Sequence, residues 1–276
     1  MEDYRMEKKK YFISADIEGC TDVTAWHECE VGGTGYGDAC RQMSLEVAAA
    51  CEAILEAGHE VVVRDGHGSA KNIIHSMLPR GTKLMRGWAC HPGSMMAGLD
   101  NSYAGVLYIG YHAPAGSNGS PLAHTINHTK VNWIKVNGQL ASEFTLNSLY
   151  AAQQGVAPIF ISGDADICRR AAEEYPGIGT MPTKECRGNS TFNMHPADAC
   201  DAIKAAVAEV MKKEAETPTP VRELPEELVL EVSLCTHQQV RSALIHPAVE
   251  QIDDSTVRYV AKKPAEMNAV REYIMG

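Results

Sequence analysis

Two acidic residues stand two positions apart near the start of the chain, in the segment Ser-Ala-Asp16-Ile-Glu18-Gly. The residues Tyr11–Asp16 predict a strand, and residues two apart in a strand point to the same face. Asp16 and Glu18 therefore aim two carboxylates at one spot. Adjacent carboxylates repel each other, and a cation between them removes that cost. The pair fits a metal site, and it also fits two solvated acids at a strand end.

Two further predicted strands carry histidines at their carboxyl ends. Asp65-Gly-His67-Gly ends the strand Glu60–Asp65, and His112 follows the strand Ala104–Tyr111. Neutral imidazole is a good zinc ligand, and a nearby carboxylate often orients its second nitrogen, a role predicted here for Asp65 toward His67. Each motif alone also fits a tight turn or a polar strand end. Because the ends of parallel strands meet in space, we expect all three to form one site.

Two more candidate segments lie further along the chain. His124 and His128 follow a loop rich in Gly, Ser and Pro, and Glu143 lies in the first turn of a predicted helix from Leu140 to Gln154. A carboxylate is favoured at a helix N-terminus in any case, so Glu143 is either a ligand or a helix-capping acid. In Gly-Asp164-Ala-Asp, we interpret the first aspartate as a helix cap rather than a metal ligand.

The elements that position these residues alternate between short strands and longer helices. The alternation predicts an α/β fold with a mainly parallel sheet flanked by helices, and a smaller C-terminal α+β unit. Functional residues gather at the carboxyl ends of strands in such sheets. A stretch rich in Pro and Thr at residues 216–225 is interpreted as a stiff linker. It separates a metal-binding catalytic domain, residues 11–215, from a C-terminal unit, residues 226–276.

Composition and charge restrict the classes of function. The 276 residues are 45% hydrophobic and 22% charged, which is typical of a globular protein with a buried core. The net charge of -10 argues against nucleic acid or an anionic membrane as the main partner. The charged first ten residues, the lack of a bilayer-spanning apolar stretch, and nine cysteines without a CxxC pair predict a cytoplasmic protein without disulfides.

Together these motifs resemble the zinc-dependent D-aminopeptidases, the ring-forming peptidases associated with dipeptide-transport operons. The similarity covers residues 11–174 and rests on Ser-x-Asp-x-Glu-Gly, Asp-Gly-His, Gly-Tyr-His-Ala, a histidine near a threonine, and a glutamate that opens a helix. Met-Ala-Gly-Leu-Asp at residues 96–100 also matches. Relatives often have Asp-Ser-His in the second motif. The Cys- and Gly-rich stretch at residues 20–40 departs from the pattern too, which leaves the substrate preference open.

The resemblance implies a cofactor of two zinc ions per chain, bridged by Asp16. The remaining ligands would divide into Glu18 with His112 and His67 with Glu143. Such a set leaves positions open for water and substrate, as catalytic zinc requires. Mn²⁺ or Co²⁺ would be substitutes, because imidazole and carboxylate ligands suit them as well.

The resemblance also implies the activity, the catalytic residue and the assembly. The reaction would be hydrolysis of N-terminal residues, D-amino acids among them, from short peptides or aminoacyl amides by a metal-activated water. His124 would be the catalytic residue, as a general base or as a group that stabilises the tetrahedral intermediate. The protein would be a homo-oligomer, a decamer of two stacked five-membered rings.

Three other functions fit the same residues. A metal-dependent hydrolase of another amide or ester would use the same site with a different pocket. A non-catalytic α/β protein that binds a small molecule would keep the acids and histidines as structural groups. A cysteine amidase would use Cys20, which lies beside the acids. Metal analysis tests the non-catalytic alternative, and a chelator set against a thiol reagent tests the cysteine alternative.

Overall fold

The computed structural model describes residues 8–276, and most of the charged N-terminal stretch noted above lies outside them. Within this range the chain forms twelve strands and seven α-helices. The strands are β1 (Lys10–Ala15), β2 (Glu60–Asp65), β3 (Lys83–Met85), β4 (Gly105–Tyr111), β5 (Val131–Val136), β6 (Gln139–Leu140), β7 (Pro158–Asp164), β8 (Gly179–Arg187), β9 (Ser190–Asn193), β10 (Leu228–Leu234), β11 (Glu250–Gln251) and β12 (Thr256–Ala261). The helices are α1 (Trp26–Cys29), α2 (Tyr36–Glu56), α3 (Glu143–Gln153), α4 (Ala165–Glu174), α5 (Pro196–Glu216), α6 (His237–Ala243) and α7 (Pro264–Met275).

A seven-stranded sheet in the order β3-β2-β1-β4-β7-β8-β9 contains the three strands that end next to the candidate residues. Its neighbouring strands pair in parallel, except that β9 runs antiparallel to β8. β1 and β4 are buried almost throughout, as expected for strands with helices on both faces of the sheet. The prediction of an α/β fold with a mainly parallel sheet is confirmed.

The strands that follow β1 lie on both sides of it. β2 and β3 lie on one side, and β4, β7 and β8 lie on the other, so the direction of winding reverses between β1 and β4. In open α/β sheets a crevice forms outside the carboxyl ends of the strands at such a point. Asp16 and Glu18 follow β1, His67 follows β2, and His112 follows β4, so four of the candidate residues stand at this crevice.

Helices cover both faces of this sheet. On one face, Val47 of α2 and Ile203 of α5 belong to the same buried cluster. On the other face, Phe144 of α3 and Ile167 of α4 pack in a second cluster with Tyr108 of β4. Burying a side chain of this size contributes about 1.5–3 kcal/mol, and both layers therefore hold the strand ends in place.

The helix predicted to start at Leu140 begins three residues later. Leu140 pairs with Lys135 in the hairpin of β5 and β6, so it is part of a strand. Ser142 caps α3, because its hydroxyl accepts a hydrogen bond from the backbone N of Thr145 at 3.0 Å and the Thr145 hydroxyl accepts one from the backbone N of Ser142 at 3.1 Å. Glu143 is consequently the first residue of the helix, and the cap fixes its direction.

A second sheet joins parts of the chain that are far apart in sequence. Its order is β11-β12-β10-β5-β6, and its pairings are antiparallel. β10 to β12 come from the predicted C-terminal unit, whereas β5 and β6 precede the predicted linker. Nζ of Lys130 donates to the carbonyl oxygens of Met275 at 2.5 Å and Gly276 at 2.7 Å, which ties the end of α7 to the start of β5. The domain division at residues 215–226 stays a prediction.

No helix within residues 8–276 combines the length and the apolar character that crossing a bilayer requires. The nine cysteines all lie in this range, and each has a free thiol.

Candidate metal centre

Asp16 and Glu18 stand where the chain leaves β1 and turns away from the sheet. The backbone N of Asp16 donates to the carbonyl of Ile109 at 2.8 Å, so the pairing with β4 continues to this residue. Gly19 then passes directly over β4. A Cβ at Gly19 would lie 1.8 Å from the carbonyl oxygen of Tyr111, so this position requires glycine. The close approach of the two chains fixes both carboxylates beside the end of β4.

His67 faces both of these acids. Its Nδ1 lies 3.2 Å from Oδ1 of Asp16 and 3.0 Å from Oε2 of Glu18. Its Nε2 lies 2.7 Å from the carbonyl oxygen of Cys29 at the end of α1. A carbonyl oxygen can only accept, so Nε2 donates to it, and this bond directs Nδ1 toward the carboxylates.

Asp65 supports His67 in a different way from the predicted one, because the carbonyl of Cys29 occupies the place beside the ring that Asp65 was expected to take. Asp65 accepts hydrogen bonds from the backbone N of Asn72 at 2.6 Å and Ile73 at 2.8 Å, and from Nδ2 of Asn72 at 2.7 Å. Nδ2 of Asn72 also donates to the carbonyl of His67 at 2.6 Å. These three donors satisfy the Asp65 carboxylate, which fixes the loop of His67 rather than its ring.

His112 and Glu143 approach Asp16 from the other side. Nε2 of His112 lies 3.4 Å from Oδ2 of Asp16 and 3.5 Å from Oε1 of Glu143. Nδ1 of His112 lies 3.0 Å from the carbonyl oxygen of Ala113, which directs Nε2 toward the acids. Oε1 of Glu143 also accepts a hydrogen bond from the backbone N of Ile126 at 2.7 Å. Glu143 therefore points into the crevice.

His124 completes the cluster from the loop that precedes β5. Its ring lies nearly parallel to that of His112, with the centroids 4.2 Å apart and an interplanar angle of 6°. Its Nε2 lies 3.5 Å from Oε1 of Glu143 and 3.8 Å from Oε1 of Glu18. Its Nδ1 lies 3.0 Å from the carbonyl oxygen of Leu122. All six residues singled out as ligands or catalyst thus meet in one cluster.

The cluster divides into two groups of three residues. Within each group, the candidate ligand atoms lie within 4.8 Å of one another. One contains Asp16, Glu18 and His67, and the other contains His112, His124 and Glu143. This division differs from the pairing implied by the family resemblance, which placed Glu18 with His112. β2 and β4 both flank β1, but Nδ1 of His67 lies 3.0 Å from Oε2 of Glu18, whereas Nε2 of His112 faces Asp16 and Glu143. The two oxygens of Asp16 face different groups, which fits a bridging ligand.

Several buried atoms at the centre of the cluster have no hydrogen-bond partner among the described residues. These atoms are Oδ2 of Asp16, Oε2 of Glu18 and Nε2 of His112. An unsatisfied buried polar atom costs about 1–3 kcal/mol, and more if it is charged. A cation bound between them would satisfy all three at once. The donor set of three carboxylates and imidazole nitrogens fits two divalent ions and suits Zn²⁺.

The pKa values in the cluster reflect the attraction between its carboxylates and its histidines. Burial would raise the pKa of Asp16, but hydrogen bonds and positive charge from His112 and His67 hold it well below its usual range. Burial would lower the pKa of both histidines, but the neighbouring carboxylates raise it well above the ordinary value. The pKa of His124 is lowered, by burial and by the positive charge of His112. The carboxylates therefore favour positive charge at the positions where a metal would bind.

The cluster opens into a cavity of about 860 Å³, large enough for a short peptide. Trp26 of α1 and His128 stack at one wall, with ring centroids 3.9 Å apart and an interplanar angle of 18°. Trp88 also lines the cavity, and α7 contributes Glu272. Among the described residues that line the cavity there is no Lys or Arg, and Glu30 and Glu272 are its acids outside the cluster.

Some contributors to the site were not predicted from sequence. Trp26 lies edge-on to His124, with centroids 5.2 Å apart, and the carbonyl of Cys29 directs His67. Asp164 caps α4 as predicted, accepting from the backbone N of Ile167 at 2.8 Å. It also accepts from the backbone N of Ala113 at 2.7 Å and so fixes the residue after His112. The Cys- and Gly-rich stretch at residues 20–40 was the available signal, since it departs from the family pattern and contains both Trp26 and Cys29.

Cys20 is a poor candidate for a nucleophile. It is fully buried, and its Sγ lies 3.5 Å from the carbonyl oxygen of Asp16. Burial and the nearby charge of Glu46 raise the pKa of the thiol well above its ordinary value. Because the thiolate is the reactive form, this environment argues against cysteine-based catalysis.

Comparison with known proteins identifies the family of this chain. The family model described as D-aminopeptidase, peptidase family M55, matches residues 9–272. A D-aminopeptidase of Bacillus subtilis (strain 168) is 27% identical over 266 residues, which cover 93% of each chain. The solved structure of the zinc-dependent D-aminopeptidase DppA from Bacillus subtilis, described as a self-compartmentalizing protease, has the same fold, with a TM-score of 0.89 and 24% identity over 96% of each chain. The chain described here belongs to the M55 family of D-aminopeptidases.

Proposed function

We propose that this member of the family is a binuclear zinc aminopeptidase, which removes N-terminal residues, D-amino acids among them, from short peptides or aminoacyl amides. The observation that carries the proposal is the position of Asp16 between two ligand groups, with one carboxylate oxygen facing each. The zinc dependence of the Bacillus subtilis relative supports the choice of metal.

Asp16, Glu18 and His67 would hold one ion, and Asp16, His112 and Glu143 would hold the other. Each ion would then have three protein ligands and open positions for substrate and water. Bound zinc would polarise the scissile carbonyl and lower the pKa of a water molecule. Each of these histidines is oriented by a backbone carbonyl, which keeps its metal-facing nitrogen in place.

His124 is proposed as the catalytic residue. Its Nδ1 donates to the carbonyl of Leu122, so Nε2 carries the lone pair and faces the acids of the cluster. The lowered pKa of the ring keeps it neutral near pH 7, as a general base requires. Nε2 would take a proton from the attacking water and return it to the leaving amine. Trp26 packs against the edge of the ring and limits its movement.

A homo-oligomeric assembly is proposed as well, with the decamer as the specific expectation. The description of the Bacillus subtilis relative as self-compartmentalizing supports it. Large apolar side chains left exposed on this chain, such as Phe192 at 60% and Ile245 at 76%, offer surfaces for contacts between subunits. Light scattering coupled to size-exclusion chromatography measures the number of subunits directly.

The experiment that tests the activity combines metal analysis with a substrate screen. Purified protein should contain close to two zinc ions per chain, lose activity on dialysis against a chelator, and regain it with Zn²⁺. A panel of L- and D-aminoacyl amides, dipeptides and simple esters should give turnover of the amides and peptides with a free N-terminus. Turnover of esters or N-blocked amides alone would favour a different metal-dependent hydrolase. Full activity in chelator without bound metal would contradict the proposal.

A further inference from the structure

The turn that follows Glu18 is held by a buried lysine from a distant strand. Lys184 lies in β8 and is 2% exposed. Its Nζ donates to the carbonyl oxygens of Glu18 at 2.5 Å, Cys20 at 2.9 Å and Val23. An ammonium group has three protons, so all of its donors are used on this one turn.

These partners are unusual for a buried cation, because they are carbonyl dipoles rather than carboxylates. Burying an ammonium group without compensation is costly, because the charge loses its hydration. Three converging carbonyl oxygens offset this cost only while the turn keeps its shape. Backbone carbonyl oxygens surround bound metal cations in a similar way. Here Nζ of Lys184 stands where such a cation would lie.

The turn has direct consequences for the metal-binding groups. One of its carbonyls belongs to Glu18 itself, whose side chain faces His67 at 3.0 Å. The next carbonyl, of Gly19, accepts a hydrogen bond from the hydroxyl of Thr183 at 2.7 Å. Beyond Val23 the chain enters α1, which presents the carbonyl of Cys29 to His67 at 2.7 Å. Lys184 therefore acts on the ligand Glu18 and on the segment that orients the ligand His67.

We propose that Lys184 is a positioning residue for the metal site formed by Asp16, Glu18 and His67, in which its ammonium group takes the place of a structural cation. The proposal rests on the proposed function, because it requires that this site binds a metal. The second site, with His112 and Glu143, is built on β4 and α3. It contains no residue of the turn and should not depend on Lys184.

The test is the release of each zinc ion to a chromogenic chelator from the protein loaded with two ions. Lys184→Met keeps the chain length of the side chain and removes the charge. We expect it to lose one ion at a chelator concentration at least tenfold lower than the wild-type protein, while the other ion keeps its wild-type midpoint. kcat should fall with a smaller change in KM, because substrate still enters the same cavity. Lys204→Met is the matched control, since Lys204 is a partly exposed lysine bound to Glu52 and Glu56.

Lys184→Gln is the second variant, because its amide can donate to two of the three carbonyls without a charge. It should fold and should show an intermediate weakening of the same ion. If either variant folds and releases both ions at the wild-type midpoints, the proposal is wrong. If neither variant folds, Lys184 serves the fold as a whole and the proposal is again wrong. A wild-type protein that binds no zinc would instead refute the proposed function, which keeps the two failures distinguishable.

Discussion

The rings of His112 and His124 are stacked, with an interplanar angle of 6° and centroids 4.2 Å apart. Two imidazolium ions at this distance would repel each other strongly in a buried site. Only one ring can therefore carry a positive charge without penalty to the other. His112 contacts Asp16 and Glu143, so His124 is the ring expected to be neutral. The stack thus agrees with the proposal that His112 is a metal ligand and His124 a general base.

His124→Ala should keep two zinc ions and the native fold while kcat falls by about 10²–10⁴-fold, the usual contribution of a general base. KM should change less, because the walls of the cavity are otherwise intact. Metal content and steady-state kinetics should be measured on the same preparation. His128→Ala is the control, since His128 belongs to the same loop and its ring stacks on Trp26. A variant with wild-type kcat would make His124 a bystander, and one with a single zinc ion would make it a ligand.

Asp16→Ala should lose both zinc ions, because each oxygen of this carboxylate faces a different ligand group. Glu143→Ala should weaken mainly the ion held with His112, since Glu143 lies 3.5 Å from that ring. Both variants should stay folded, because the sheet and its helical layers are formed by other residues. Metal analysis after gel filtration, with circular dichroism as a check of the fold, distinguishes them. Two tightly held ions in the Asp16→Ala protein would show that the bridge is another residue.

Glu46→Gln should remove a pH dependence of stability. Burial raises the pKa of Glu46 to about 7, against 4.5 ordinarily. Between these values the folded protein binds a proton that the unfolded chain has released, so stability falls as pH rises from about 4.5 to about 7, by at most about 3 kcal/mol. Glutamine keeps the acceptor for the backbone N of Thr21 and Nε2 of Gln42 and carries no charge.

Urea unfolding in the presence of chelator, at pH 5 to 8, measures this difference. The Glu46→Gln protein should gain stability over the wild-type protein as the pH rises, and Glu52→Gln, a change at a half-exposed glutamate of the same helix, should not. Parallel curves for Glu46→Gln and the wild-type protein at all pH values would show that Glu46 does not titrate in this range.

The negative charges that line the cavity should disfavour dipeptides with a free C-terminal carboxylate. Glu30 and Glu272 line it, and among the described lining residues no Lys or Arg is available to bind a substrate carboxylate. Dipeptide amides and tripeptides should therefore have a higher kcat/KM than the matching dipeptide acids. Glu30→Gln should narrow the ratio of the two kcat/KM values by up to about fivefold, since one exposed charge contributes at most ~1 kcal/mol. The amide serves as the internal control, and equal loss on both substrates would argue against a charge effect.

Much of the larger fold follows from local sequence patterns. The strand Glu60–Asp65 matches its predicted bounds and β4 begins one residue after its predicted start, because short apolar runs between polar or glycine-containing segments define them. The hairpin of β8 and β9 was not predicted. Its residues lack a clear alternation and include Pro182, and it forms because β8 pairs with β7. Leu140 was predicted to be helical, because its position in a strand depends on its pairing with Lys135 and not on the local sequence.

The identity of the site residues could be predicted from the sequence better than the contacts between them. Acids and histidines at the ends of three strands were visible because parallel strands end at one edge. Their grouping was not, because β2 and β4 both flank β1, and only the side-chain geometry places His67 rather than His112 beside Glu18. The roles of the Cys29 carbonyl and of Lys184 were also invisible. A backbone carbonyl carries no signal of residue type, and Lys184 lies more than 160 positions from the turn it holds.

The pairing of β5 with β10 constrains the order of events when the chain is synthesised. Val131–Val136 and Leu228–Leu234 are about 100 residues apart, so β5 leaves the ribosome long before its partner exists. During that interval β5 presents an unpaired edge next to the loop of His124, and Lys130 has no helix end to bind. The second metal site should therefore mature only after α7 has been made. A nascent chain stalled before residue 228 should be a substrate for chaperones and inactive.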